Sequence, residues 1–186
     1  MTLYFRGRCT RSFNWTLFSL FVFRKLFKEE LNYTYLGDWQ EREGNSNIEQ
    51  KYLTNYLKRK GYSDEHISKA IFELQQEATN FSDSLYTTNK NVYSKLRNGV
   101  KVKVSAGENY DTVKLIDWQH PEDNDFYIAE EVTLRGNKDK RPDIVLYING
   151  IAIAVLELKR GIVDIGEGVR QNISNMQERF IKPFFA

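Results

Sequence analysis

The stretch Arg141-Pro142-Asp143-Ile144-Val145-Leu146-Tyr147-Ile148-Asn149-Gly150-Ile151-Ala152-Ile153-Ala154-Val155-Leu156-Glu157-Leu158-Lys159 decides the fold. Two β-rich runs flank Asn149-Gly150, a pair that accepts positive φ at both central positions of a tight hairpin turn. Both runs are almost wholly apolar, which predicts a sheet buried on both faces. Between Pro142 and Lys159 the only charges are Asp143, Glu157 and Lys159. A charge among apolar residues is costly unless it has a partner. The three stand at the outer ends of the hairpin arms, where they can converge. Glu157 and Lys159 are two apart on a strand and so share a face.

The turn constrains the chemistry. A regular two-residue turn pairs Ile148 with Ile151, and therefore Asp143 with Leu156. Side chains alternate, so Glu157 would then face away from Asp143. A shared site requires either an odd-length turn or a β-bulge between the two carboxylates.

Two carboxylates at one point make a hard oxygen site suited to Mg²⁺. Such an ion polarises a phosphoryl oxygen and acidifies bound water, while a lysine ammonium orients that water and offsets transition-state charge. Together these parts hydrolyse a phosphodiester, with Asp143 and Glu157 as metal ligands and Lys159 as the catalytic cation. Taken alone, the same spacing also fits a structural ion pair at a strand end.

Outward from the hairpin, Gly161 precedes a predicted final helix from about Ile165 to Arg179. Upstream, Val100, Val102 and Val104 alternate with Lys101 and Lys103, the period of a strand. Further strands read from Thr112 to Trp118 and from Asp125 to Thr133, and the three suggest an antiparallel meander. Lys95, Arg97, Lys101 and Lys103 form a local basic cluster, readable as phosphate contacts or as a solvated surface. Trp39 to Asn47 reads as a polar loop. Asn47 is placed to cap a helix from about Ile48 to Lys60, with Gly61 just past its end. A second helix spans about Ser63 to Thr79, with Ile67, Ala70, Ile71 and Leu74 as its core stripe.

The 186 residues suffice for one domain with a real core, and 41% hydrophobic content is ordinary for a globular chain. A net charge of only +2 gives no bulk basicity, so nucleic-acid contacts must be local. The single cysteine, Cys9, excludes an internal disulfide framework and fits a reducing cytoplasm. Arg6, Arg8 and Arg11 precede an apolar run from Trp15 to Phe23, but no small-residue cleavage site follows. The run is too short to span a bilayer, so no membrane partner is expected. Residues 1–30 therefore read as a leader, amphipathic or poorly ordered. The last residues, Ile181 to Ala186, end on an aromatic pair with no polar tail, which suggests a piece of a longer chain.

Arg141 to Gly150 followed by Val155-Leu156-Glu157-Leu158-Lys159-Arg160 closely resembles the N-terminal nuclease domain of the restriction (R) subunit of type I restriction enzymes, a PD-(D/E)xK nuclease. The resemblance runs from about Leu31 to Ala186. It takes in Gly37-Asp38-Trp39, Asn91-Val92-Tyr93, Glu130-Glu131-Val132-Thr133 and Glu167-Gly168-Val169-Arg170-Gln171-Asn172. It implies an α/β, restriction-endonuclease-like fold: a central mixed β-sheet flanked by helices, over 31–186. It carries the metal ligands to Asp143 and Glu157, the catalytic lysine to Lys159, and an upstream helical acid to Glu49. Alone, Glu49 reads as a solvated helix residue. The family's Gln-x-x-x-Tyr motif matches at Gln171, but Asn175 stands in place of the tyrosine. Gln171 is then a supporting residue or an exposed helix glutamine.

The implied activity is Mg²⁺-dependent cleavage of double-stranded DNA, in a complex with methylation and specificity subunits. ATP enters only through a C-terminal translocating motor, because no G-x-x-x-x-G-K-[ST] loop occurs in these residues. The rival readings are a same-fold DNA repair nuclease and a non-catalytic interaction domain that keeps the fold alone.

Overall fold

The computed structural model describes residues 15–80, 82–104, 109–135, 139–158 and 170. Helix α1 (Trp15–Lys25) runs into a π-helical turn (Leu26–Glu30). Strand β1 (Thr34–Asp38) and helices α2 (Gln50–Arg59), α3 (Asp64–Ala78) and α4 (Leu85–Asn98) follow. Short strands β2 (Val100–Val102) and β3 (Asp111–Val113) come next, then a 3₁₀ turn at Pro121–Asp123. The chain closes on β4 (Phe126–Glu130), β5 (Ile144–Ile148) and β6 (Ile151–Leu156).

The main sheet has the order β1-β4-β5-β6. β1 lies parallel to β4, and the other pairs are antiparallel, so the sheet is mixed. The helical segment at 15–30 packs on one face through Leu20 and Phe27, and Tyr52 of α2 reaches the other, in keeping with the expected restriction-endonuclease-like α/β architecture. β5 is buried along nearly its whole length, as its apolar run predicts. β6 departs from that expectation: it is the edge strand and is only half-buried.

The expected antiparallel meander is wrong. β2 and β3 do pair antiparallel, but in a separate two-stranded sheet, and β4 leaves them for the main sheet. The physical reason lies in the side chains. Lys101 is exposed between two buried valines, which suits a sheet with one wet face, whereas Ile128 and Ala129 are buried on opposite faces. The strands are also shorter than expected, because the segment after Val113 turns away into a loop held by Asn124, whose side chain receives Asp117 N and donates to Asp117 O.

α2 and α3 stand where the helical spacing puts them. Ser63 caps α3 by accepting from His66 N, and Gly61 follows α2 at φ +87°. Asn47 is not the cap of α2. Asn47 and Ile48 instead extend along β6, with Ile48 bridged to Ile151 and Asn47 O accepting from Ala152 N at 2.8 Å. They thereby cover part of the sheet's open edge, and the helix begins only after Glu49. α4 was not expected as a helix: the sequence showed only its basic end. Ser84 caps it by accepting from Thr87 N, and Gly99 ends it.

One core cluster joins α2 and α3 to β2 and β3 through Leu53, Leu57, Leu74, Val100 and Val113. A second fills one face of the main sheet with Trp39, Val132, Val145 and Tyr147. On the opposite face Leu20 and Phe27 pack against Ile128, Ile144 and Leu146, so the segment at 15–30 covers the sheet. Among the described residues no helix is long and apolar enough to cross a membrane.

Candidate active site

The hairpin places the two carboxylates. Asn149 and Gly150 have φ of +53° and +89°, the type I′ geometry that matches strand twist. Asn149 is fully buried. Its amide donates to Leu115 O and Asn124 Oδ1, and its Oδ1 accepts from Asp125 N, so the turn is tied down on two sides. Ile148 pairs with Ile151, as a two-residue turn dictates, and Tyr147 pairs with Ala152. Leu146, however, pairs with Ala154, and Ile153 is the extra residue of a β-bulge.

Beyond the bulge Val145 opposes Val155 and Ile144 opposes Leu156. One further step in that register sets Asp143 opposite Glu157, on the sheet face of Val145 and Tyr147. The parity required by a shared site is thus met by a bulge. Asp143 is half-buried, and its Oδ2 accepts from Leu158 N at 2.5 Å, which aims its carboxylate across to the end of β6. Glu157 is half-buried as well. Lys159 and Gln171 lie outside the described residues.

Two further acids come to this end of the sheet through strand pairing, and sequence reasoning assigned neither. Glu131 N donates to Asp143 O, and Glu131 carries the positive φ of +50° that ends β4. Its carboxylate pairs with Arg141 at 2.7 Å. Burial holds its pKa above the usual carboxylate range; Arg141 opposes that rise, and the charges of Asp143, Asp38 and Glu130 add to it. Glu130 faces the other side of the sheet, where its Oε2 accepts from Tyr35 Oη at 2.9 Å and from Arg24. The one sequence signal was the doublet Glu130-Glu131 at the end of an apolar run. Among the described residues, no three acidic, histidine or cysteine side chains gather closely enough to hold a metal. The β5–β6 register, continued one step past Ile144 and Leu156, offers Asp143 and Glu157 as two oxygen donors on one face. That donor set fits a hard divalent cation, with one Asp143 oxygen already engaged by the backbone.

Glu49 is not brought to Asp143. Its backbone N donates to Gly150 O, so it sits at the turn, the far end of β5. The side chain is buried and locked: Arg42 donates to both oxygens, at 2.9 and 2.6 Å, and Ser46 N adds a third bond. Arg42 in turn stacks on Trp39, 3.9 Å from the ring centre. This knot fixes the 39–49 loop over the sheet face that bears Asp143, with burial and the Glu49 charge pushing the Tyr147 phenol strongly upward.

The four residues of the basic cluster have different surroundings. Lys95 is engaged by Glu73 and Glu77 on α3. Arg97 lies over the Trp118 ring, and Lys101 and Lys103 are exposed on and just beyond β2.

Residues 22–186 match the model of the family described as type I restriction enzyme R protein N terminus. The chain is 31% identical over 148 residues to a Methanocaldococcus jannaschii protein named as the type I restriction enzyme MjaVIIIP endonuclease subunit, a match covering 70% of this chain and 13% of that protein. It is 32% identical over 79 residues to the type I restriction enzyme HindI endonuclease subunit of Haemophilus influenzae, covering 40% of this chain and 8% of that one. The chain thus spans a small part of the length of the curated relatives it matches.

Proposed function

The chain belongs to the family of the type I restriction enzyme R protein N terminus, and from that premise we propose that it is the DNA-cutting domain of such a subunit. The observation that supports this reading is the bulge at Ile153, which gives β5 and β6 the parity that a face shared by Asp143 and Glu157 requires. A bulge at the base of a metal site re-aims a side chain at the expense of local pairing.

The reaction is hydrolysis of a phosphodiester of double-stranded DNA: water adds to phosphorus, and the bond to the leaving sugar oxygen breaks. Asp143 and Glu157 would hold Mg²⁺, which would supply Lewis-acid polarisation of the phosphate and acidification of water. Leu158 N fixes the Asp143 carboxylate by donating to its Oδ2. Lys159 orients the attacking water and offsets charge on the transferring phosphate. Arg141 holds Glu131 and limits like-charge repulsion beside Asp143. Glu49 supports the site through the Arg42 knot that seats the loop over this face, and Gln171 supports it from beyond Lys159. In the whole R subunit, cutting is coupled to ATP-driven translocation, with methylation and specificity subunits as partners.

The test is cleavage by the assembled enzyme carrying Asp143→Ala, Glu157→Ala or Lys159→Ala, with circular dichroism to show that the fold persists. Each should abolish cutting. Wild-type cleavage by any of the three refutes the assignment of that residue.

A further inference from the structure

We infer that the groove between α4 and the β5–β6 turn is a second DNA contact, which stacks an unpaired nucleobase on Tyr93 and Trp118 while Lys90 and Arg97 receive the adjoining phosphates. This rests on DNA being the substrate, but not on Asp143 and Glu157 doing the cutting.

The groove encloses about 450 Å³, and its floor is aliphatic, with Ile48, Leu74, Ile148 and Ile151. Its rim is aromatic and open: Tyr93 is 60% exposed and Trp118 45%. The indole is held in place, since Trp118 Nε1 donates to Leu96 O at 2.9 Å and the Arg97 guanidinium lies 5.1 Å from the ring centre. Asn47 and Asn89 place amide donors and acceptors among these apolar walls, as an edge of a nucleobase requires. Holding two large rings in water has a cost that a stacked base would remove.

Charge selects the occupant. The sequence of α4 contains no acidic residue. Tyr86, Lys90, Tyr93 and Arg97 fall on one helical stripe, aromatic and basic in alternation. Lys95 is engaged by Glu73 and Glu77 and is left out of the proposal. Lys90, Arg97 and Lys101 have no carboxylate partner among the described residues. An aliphatic segment of a protein partner would use the floor but would leave the basic, acid-free stripe of α4 beside it unexplained, whereas a phosphodiester strand uses both. The groove reaches β5 at Ile148, roughly 17 Å along the strand from Asp143.

The experiment is fluorescence anisotropy of the 186-residue chain with a short labelled oligothymidylate and with an abasic oligomer of equal length. Oligothymidylate should bind more tightly than its abasic counterpart. Tyr93→Ala should weaken it about tenfold, to the abasic level, while Tyr93→Phe and Trp118→Phe retain affinity. Arg97→Ala should lower the log–log salt slope by about 0.7. All of these chains keep Asp143, Glu157 and Lys159 intact and the readout is binding without cleavage, which separates failure here from failure of the nuclease assignment. Equal affinity for the abasic strand overturns the proposal. So does undiminished binding by Tyr93→Ala, and if an acid-flanked apolar peptide then competes for the groove, its occupant is a protein.

Discussion

Gly150 and Gly61 offer a matched pair for separating backbone strain from close packing. Their φ values are +89° and +87°, so alanine pays nearly the same left-handed penalty at either, about 1–2 kcal/mol. At Gly61 an added Cβ meets nothing within 4 Å. At Gly150 it would stand 2.7 Å from Glu49 O, 2.8 Å from Tyr52 Cβ and 2.9 Å from Leu53 N. Two of these are backbone atoms at the start of α2 and cannot rotate aside, and the turn itself is pinned by Asn149. Overpacking of this kind costs about 1–3 kcal/mol. Gly150→Ala is therefore expected to lose about 2–5 kcal/mol and Gly61→Ala about 1–2, a difference of about 1–3 kcal/mol. Urea denaturation at unchanged m-value measures it directly. If the two variants fall within about 0.5 kcal/mol of each other, within ordinary additivity error, the close seating of the turn on α2 is wrong, and with it the anchor of the β5–β6 register.

Deleting Ile153 should remove the bulge, turn Glu157 to the opposite face and abolish cleavage and divalent-cation binding by calorimetry; Ile153→Ala keeps the residue count and should retain both, and cleavage by the deletion variant would break the link between bulge and site. Arg42→Ala leaves Glu49 buried with only Ser46 N for a partner, and should cost about 2–3 kcal/mol given the half-open arginine. Arg42→Ala made in a Glu49→Gln background should cost much less, and equal losses in both backgrounds would deny the coupling. Asp117 accepts from His120 N, Gln119 N and Lys60, and backbone bonds first, then Lys60, lower its pKa to about 2 from the ordinary 3.8. A depressed carboxylate pKa adds stability above its unfolded value that is lost as pH falls toward the folded one. Thermal melts between pH 4 and pH 2 should therefore fall less steeply for Asp117→Asn than for wild type, and parallel curves would refute the linkage.

Local signals settled much of this molecule. Asn149-Gly150 announced the turn because few other pairs accept positive φ twice, and the stripes on α2 and α3 announced helices because their apolar period is unmistakable. A shared face for Asp143 and Glu157 was legible as a parity condition, since side chains alternate along any strand. Which device met the condition was decided in three dimensions. The turn could not lengthen, because Asn149 and Gly150 are bonded and packed into Leu115, Asn124 and α2, so the extra residue was accommodated at Ile153 on the edge strand, just past the point where Asn47 and Ile48 pair with it. α4 escaped notice because Tyr-Thr-Thr-Asn-Lys-Asn has no apolar stripe to read and is helical through its caps and its packing on α3. That Glu131 feels the charges of both Asp143 and Asp38 was invisible, because only the pairing of β1, β4 and β5 brings residues so far apart in the chain to one end of the sheet. Sequence fixes what a segment prefers within a few residues of itself; the position of a charge beside another is set by which strands pair, and that depends on the burial of whole faces at once.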